Sequence, residues 1–330
     1  MEYKLSELVT IKYGKNQSEV VDIDGKYPIL GTGGIIGYSN QYLYNKPSVL
    51  IGRKGSIKNV KYIDKPFWTI DTLFYTIINE NIAIPKYLFY KLSQLDLSTY
   101  NEGSAVPSLT TSTLNQIEID IPTLEEQKRI ADILTSLDDK IELNNQMNQT
   151  LEEIASLLYK RWFVDFEFPD DKGKPYKSNG GEMVDSELGM IPKGWEVKEL
   201  GEVLEISSGN RPIQKSEEKT KENIFPIVGA SRIIGYTNNY ILDDTNEALI
   251  IGRVGTLGII QEYKEKVWTS DNTLIIKSNF QNYIKQYLSN INFYSLNSGS
   301  TQPLITQATM NKLLIVGPWD KVNDKFEKIA

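Results

Sequence analysis

Tyr27-Pro28-Ile29-Leu30-Gly31-Thr32-Gly33-Gly34-Ile35-Ile36-Gly37-Tyr38-Ser39-Asn40 returns as Phe225-Pro226-Ile227-Val228-Gly229-Ala230-Ser231-Arg232-Ile233-Ile234-Gly235-Tyr236-Thr237-Asn238. Three further stretches repeat in the same order. Ile51-Gly52-Arg53-Lys54-Gly55-Ser56 matches Ile251-Gly252-Arg253-Val254-Gly255-Thr256, and Trp68-Thr69-Ile70-Asp71 matches Trp268-Thr269-Ser270-Asp271. Gly103, Ser104, Pro107 and Thr110 match Gly299, Ser300, Pro303 and Thr306, with the copies 195 to 200 residues apart throughout. That period is far longer than the roughly 20–50 residues of a solenoid unit, so the chain is read as one globular module present twice.

The 330 residues suffice for about two domains, and 40% hydrophobic content allows each copy its own core. Cysteine is absent, which excludes disulfides, cysteine-ligated zinc and thiol nucleophiles, and a cytoplasmic location is the default. Histidine is absent too, removing the usual general base near neutral pH and with it Ser-His-Asp and His-Glu-x-x-His chemistry. Met1-Glu2-Tyr3-Lys4 has no signal-peptide pattern, and no apolar run reaches the roughly 18 residues of a membrane span. With a net charge of -7, attraction to a polyanion requires local clusters of Lys and Arg.

Along the first copy, Val49-Leu50-Ile51, Asn59-Val60-Lys61-Tyr62-Ile63 and Phe74-Tyr75-Thr76-Ile77-Ile78 read as strands between Gly, Pro and Asn turns. Pro85 opens a helical pattern through Leu92, echoed by Tyr283 to Leu288. From Pro122 to about Phe163 the pattern becomes a long helix. Ile130, Leu134, Leu137, Ile141, Asn144, Asn148, Leu151, Ala155, Leu158 and Trp162 fall at alternating spacings of four and three, a heptad seam. Glu125 and Glu126 suit its first turn, Lys160 and Arg161 its last. About 40 residues give a rod of roughly 60 Å, too long to bury in one small domain, so the seam calls for another helix beside it. Asn144 and Asn148 either fix register or interrupt the seam. The stretch Phe168-Pro169-Asp170-Asp171-Lys172-Gly173-Lys174-Pro175 and Ser178-Asn179-Gly180-Gly181 has linker composition and is expected to run over the surface. The resulting plan is mixed α/β: domains at 1–122 and 195–317, a helix at 123–165, a linker at 166–194, and a further helix starting within 318–330.

With these parts in order, the sequence resembles the specificity subunit of type I restriction-modification systems over essentially its whole length. The resemblance is carried by Ile121-Pro122-Thr123-Leu124-Glu125-Glu126-Gln127-Lys128-Arg129-Ile130-Ala131, Leu151-Glu152-Glu153-Ile154-Ala155, Trp162-Phe163-Val164-Asp165-Phe166 and Gly189-Met190-Ile191-Pro192-Lys193-Gly194-Trp195. It implies two target-recognition domains, each reading half of a split site in double-stranded DNA. It also implies two helices that pair antiparallel and dock methyltransferase (M) subunits, with restriction (R) subunits completing the complex. S-adenosylmethionine, ATP and Mg2+ are then expected in those partners, and neither a bound cofactor nor catalysis in this chain. The chain departs from the family pattern in ending after about two turns of the second helix. The seam is therefore expected to recruit a second copy or to be completed by a methyltransferase subunit.

Within that reading, Arg53, Lys54 and Ser56, with Arg253 and Thr256, place cations and hydroxyls between glycines, where Arg can grip guanine O6 and N7 or a phosphate. The plainer alternative is a tight turn with a solvated Arg. Arg232 replaces Gly34 and would read at one half-site only. Ser104, Thr110, Thr301 and Gln302 belong to small hydroxyl-rich loops suited to phosphate or base-edge contacts, although Ser and Thr beside Pro are also ordinary turn chemistry. Lys15, Asn16, Asn210 and Arg211 form a weaker repeated polar turn, read as solvated unless DNA lies close. Asp71 and Asp271 are read as turn residues ahead of cytosine contacts, and their tryptophans as core. No phosphate-binding Gly-x-x-x-x-Gly-Lys-Ser/Thr and no Gly-x-Gly-x-x-Gly is present, and no residue set supports a stand-alone enzyme. A scaffold or decoy that binds methyltransferase subunits without reading DNA is the alternative, separable by the steep salt dependence of phosphate contacts.

Overall fold

The central strand of the first module, Ser48–Gly52, is buried along its whole length, as a run without polar alternation requires when both faces of a sheet are covered. A computed structural model describes residues 1–243, 248–299, 302–319 and 321–329. It divides the chain into two compact units, Met1–Asn145 and Gln146–Ala330.

In the first unit Ser48–Gly52 pairs antiparallel with Leu73–Ile78 and Val60–Ile63, and Leu73–Ile78 also pairs with Val9–Tyr13. Period-two geometry sends neighbouring side chains to opposite faces. Val49, Ile51 and Phe74 enter one core with Leu88 and Leu92 of the helix Pro85–Ser93, while Leu50 and Leu73 enter another with Leu30, Ile63 and Phe67. That second core lies against a three-stranded sheet in which Tyr27–Gly31 pairs antiparallel with Gly34–Ser39 and parallel with Trp68–Thr69. The opening strand Glu2–Lys4 pairs with Glu118–Asp120 and so closes the module on itself.

The second unit repeats this plan strand for strand. Its four-stranded sheet joins Glu205–Ser208, Thr273–Lys277, Leu249–Gly252 and Ile260–Gln261, and its three-stranded sheet joins Ile233–Thr237, Phe225–Val228 and Trp268–Thr269. Leu249, Ile251, Leu274 and Ile276 again share one core, and Ile250, Ile275 and Val228 the other.

The expected helix runs Leu124–Tyr159 without interruption, and the boundary between the units falls inside it. Residues Lys160–Val164 then widen into a π-turn, which carries Trp162 and Phe163 into the second unit's core. There Phe163 packs 4.5 Å from Tyr283 and 5.1 Å from Phe326, centroid to centroid. Further up the helix, Glu152 shares Lys285 with Glu262, at 3.2 and 2.7 Å. Partial burial lowers the Lys285 pKa, but the two carboxylates outweigh it and the net shift is upward.

Of the stretches expected to run over the surface, residues 171–174 and 177–180 are exposed, while Phe168 packs inward. Phe168 is buried and stacks between Tyr176 and Trp195, at 4.6 and 5.0 Å, and Met183–Val184 pairs with Ile191–Pro192. The Gly, Pro and Asp of 166–194 serve the tight turns between those contacts. Among the described residues no helix is long and apolar enough to cross a membrane.

Candidate nucleic-acid interface

Four segments far apart in sequence meet at one end of each module, held together almost entirely by backbone hydrogen bonds. In the first unit the Arg53 amide donates to Thr72 O at 2.8 Å and the Arg53 carbonyl accepts from Leu109 N at 2.9 Å. Gly55 N donates to Pro107 O at 2.9 Å, and Lys15 N to Thr69 O at 2.8 Å. The second unit reproduces each bond: Arg253 N to Asn272 O, Ile305 N to Arg253 O and Gly255 N to Pro303 O, each at 2.9 Å, and Asn210 N to Thr269 O, also at 2.9 Å. The turn at 51–56, the loop at 69–73, the turn at 14–16 and the loop at 103–110 thus form one surface, as do their counterparts.

Local chemistry explains the shape. Gly55 and Gly255 adopt φ of +78° and +75°, a left-handed conformation that a side chain would strain, and this turns the chain two residues after Arg53 and Arg253. A Cβ on Gly14 or Gly209 would fall 2.0 Å from Ile70 O or 2.2 Å from Ser270 O, so only glycine lets that turn lie against the neighbouring loop. Trp68 and Trp268, read as core from sequence, also donate their Nε1 to Lys15 O and Asn210 O, at 3.0 and 2.6 Å, and pin the turn from below. The Asn101 side-chain oxygen accepts from Gly103 N and Ser108 N, and that of Asn297 accepts from Gly299 N and Leu304 N. These local bonds tie Gly103 to Ser108 and Gly299 to Leu304 through one side-chain oxygen each.

Arg53 is half-buried: its Nη1 donates to Asp71 O at 3.0 Å, and its guanidinium carbon lies 5.1 Å from the centre of the Tyr13 ring. It is therefore held, in contrast to the freely solvated Arg of the plainer alternative. Arg253 instead donates from Nη1 to Ser208 Oγ at 2.9 Å, and its Nε is buried without a partner. Lys54, Ser56, Thr256, Ser104 and Gln302 are exposed around these turns, with Gln302 Nε2 3.3 Å from where a Cβ on Gly255 would stand. Arg232 is exposed at the tip of the hairpin 229–233, and the neighbouring Ala230 O lies 2.3 Å from the place of a Cβ on Gly252. That hairpin therefore borders the Arg253 turn. Thr110 plays a structural part, since its hydroxyl caps the helix Thr111–Asn115 by accepting from Thr113 N, as Thr306 caps Gln307–Asn311. Thr301 lies outside the described residues.

Sequence reading did not single out Tyr13, Ser208 or the pairing of Arg211 with Asp271, whose closest contacts are 3.0 and 3.1 Å. A usable signal existed. Within a repeated motif, these are places where the copies differ in chemistry, Tyr13 against Ser208 and Asn16 against Arg211.

The seam residues divide into three groups. Ile130 and Leu134 are half-buried in the first unit, and Leu158 is half-buried against the second unit's core. Leu137, Ile141 and Leu151 are exposed at 53%, 60% and 59%, and Asn144 and Asn148 are exposed with them. These residues leave an apolar stripe of the long helix open to water.

A duplicated α/β module that gathers cations, hydroxyls and small loops at one end, with a long helix bearing an exposed apolar seam, defines a two-domain protein built on an internal repeat. The chain belongs to the type I restriction modification DNA specificity domain family, whose model matches residues 1–153 and 192–323. It is 36% identical over 177 residues to the type I restriction enzyme MjaIX specificity subunit of Methanocaldococcus jannaschii, a match covering 52% of this chain and 39% of that protein. It is 28% identical over 207 residues to the HindI specificity subunit of Haemophilus influenzae, covering 46% of this chain and 45% of that one. The chain thus spans about half the length of the curated relatives it matches. Its fold is similar to the crystal structure of a type I restriction-modification S subunit from M. genitalium, with a TM-score of 0.66 at 17% identity, covering 100% of this chain and 87% of that one.

Proposed function

We propose that each unit uses its arginine-bearing surface to read one half of a bipartite site in double-stranded DNA, and that the chain serves as the address of a type I restriction-modification complex. The observation that carries this reading is the bond-for-bond repetition of the Arg53 cluster around Arg253. Duplicated backbone scaffolding with divergent side chains suits recognition of two different sequences by one shared design. Backbone and Lys54-type contacts would position the phosphates, while Arg53, Gln302 and Arg232 would meet base edges.

The exposed seam at Leu137, Ile141, Asn144, Asn148 and Leu151 would dock methyltransferase subunits or the same helix of a second copy, and restriction subunits would join that assembly. Methylation and cleavage, with S-adenosylmethionine, ATP and Mg2+, would then reside in the partners. Among the described residues no group of three or more Asp or Glu is placed to hold a metal ion.

The test is co-expression with the methyltransferase subunits, followed by mapping of modified bases across a genome. A bipartite motif that disappears without this chain is the expected result. A chain that co-purifies with methyltransferase yet yields no motif, and whose duplex binding is insensitive to salt, would establish the decoy instead.

A further inference from the structure

Resting on that reading, the geometry points to Arg211 as the guanine-reading residue of the second unit, aimed by Asp271. Nε of Arg211 donates to Asp271 Oδ2 at 3.1 Å and Nη2 lies 3.0 Å from the same oxygen. One edge of the planar guanidinium is thereby spent on the carboxylate. The outer edge, formed by Nη1 and the remaining hydrogen of Nη2, stays open, and Arg211 is 85% exposed. A guanidinium held in this way presents two parallel N–H donors at the spacing that guanine N7 and O6 accept. A lone surface arginine samples many rotamers, and the carboxylate removes much of that freedom before DNA arrives.

The support beneath the pair is rigid. Gly209 lies so close to Ser270 O that no side chain fits, Asn210 N donates to Thr269 O, and Trp268 Nε1 donates to Asn210 O. Arg211 and its carboxylate thus ride on two loops already bonded to each other and to Arg253, whose amide reaches Asn272 O.

The first unit is built differently at the same place. Asn16 stands where Arg211 stands, and its Oδ1 is occupied by Ser18 N and Ser18 Oγ at 2.9 and 2.7 Å. Its arginine against Tyr13 is Arg53, whereas Arg253 is turned to Ser208 with its Nε buried. Arg53 and Arg253 are both half-buried, and the second unit adds at this turn the exposed guanidinium of Arg211 where the first has Asn16. Arg253 becomes a positioning residue. The two half-sites differ because the cation reaches the duplex from different segments of one scaffold.

The test uses the full chain in complex with its methyltransferase subunits and compares the methylated motif of the wild type with Arg211→Ala and Asp271→Asn. In R211A one guanine position, in one half-site only, should lose at least about tenfold preference, the scale of a bidentate arginine contact, with the other half-site unchanged. D271N should relax the same position to a lesser degree, because the arginine remains but is no longer aimed. Thermal unfolding of the variants should match the wild type. An unchanged motif in R211A, or a uniform loss of modification at all sequences with base preference intact, would overturn the assignment. A wild-type complex with no bipartite motif would instead bring down the DNA-reading function itself.

Discussion

Gln127 accepts the Ile84 amide on its Oε1 at 2.8 Å while its Nε2 donates to Ile82 O and Pro122 O at 2.9 and 3.0 Å, and its side chain is fully buried. One amide therefore joins the first turn of the long helix to the start of the helix Pro85–Ser93. A buried polar group in a satisfied network is costly to remove, because its partners are left without water or protein to bond. Gln127→Ala is expected to destabilise the first unit by about 2–4 kcal/mol, read as a lower urea midpoint with an unchanged slope. A loss below about 0.5 kcal/mol, the scale of an ordinary surface substitution, would show that the amide does not anchor the helix.

Thr110 offers a way to separate scaffold from contact. Its hydroxyl caps Thr111–Asn115, so Thr110→Ala should cost about 1 kcal/mol of stability while Thr110→Ser should restore most of it. Equal stability of all three proteins, together with weaker duplex binding by the alanine variant, would assign the hydroxyl to DNA alone.

Ile141 is 60% exposed, and aspartate there adds no buried charge to the isolated chain. Ile141→Asp is expected to leave unfolding within about 0.5 kcal/mol of the wild type while abolishing co-purification with methyltransferase subunits or self-association in sedimentation. Unaltered assembly would remove the seam from the partner surface.

Tyr90 ties the helix Pro85–Ser93 to the long helix through a 2.5 Å hydrogen bond to Asp138 Oδ2. Burial, and then that bond, push the phenol up to about 12 from an ordinary 10.0. The folded state holds this proton more tightly than the unfolded chain, so its contribution is complete below the ordinary value and is lost as pH rises through about 12. Stability of the first unit should therefore decline across that alkaline window, and Tyr90→Phe should decline less steeply. Parallel pH profiles by urea unfolding would show that the Tyr90 proton is not linked to folding.

Much of the architecture is local and so could be read along the chain. Val49-Leu50-Ile51 lies inside the strand Ser48–Gly52, Pro85 does open a helix, and the uninterrupted seam does form one helix from Leu124 to Tyr159. Within 166–194 the exposed turns were legible, but the burial of Phe168 was not, because Gly, Pro and Asp are common to linkers and to tight turns. The stacking of Phe168 on Tyr176 and on Trp195, residues with no local pattern between them, brings it into a core.

By itself the sequence determined the duplication, the element types and the family, since these depend on spacing, backbone propensity and motifs within a few residues of one another. Tertiary structure alone decided which side chains act together. Arg211 meets Asp271 across 60 residues, Arg53 faces Tyr13 where Arg253 faces Ser208, and Gln127 reaches back 43 residues to Ile84. Such pairings follow from strand order and loop approach, and whether a cation is spent inside the module or left for DNA is settled by geometry that no local pattern encodes.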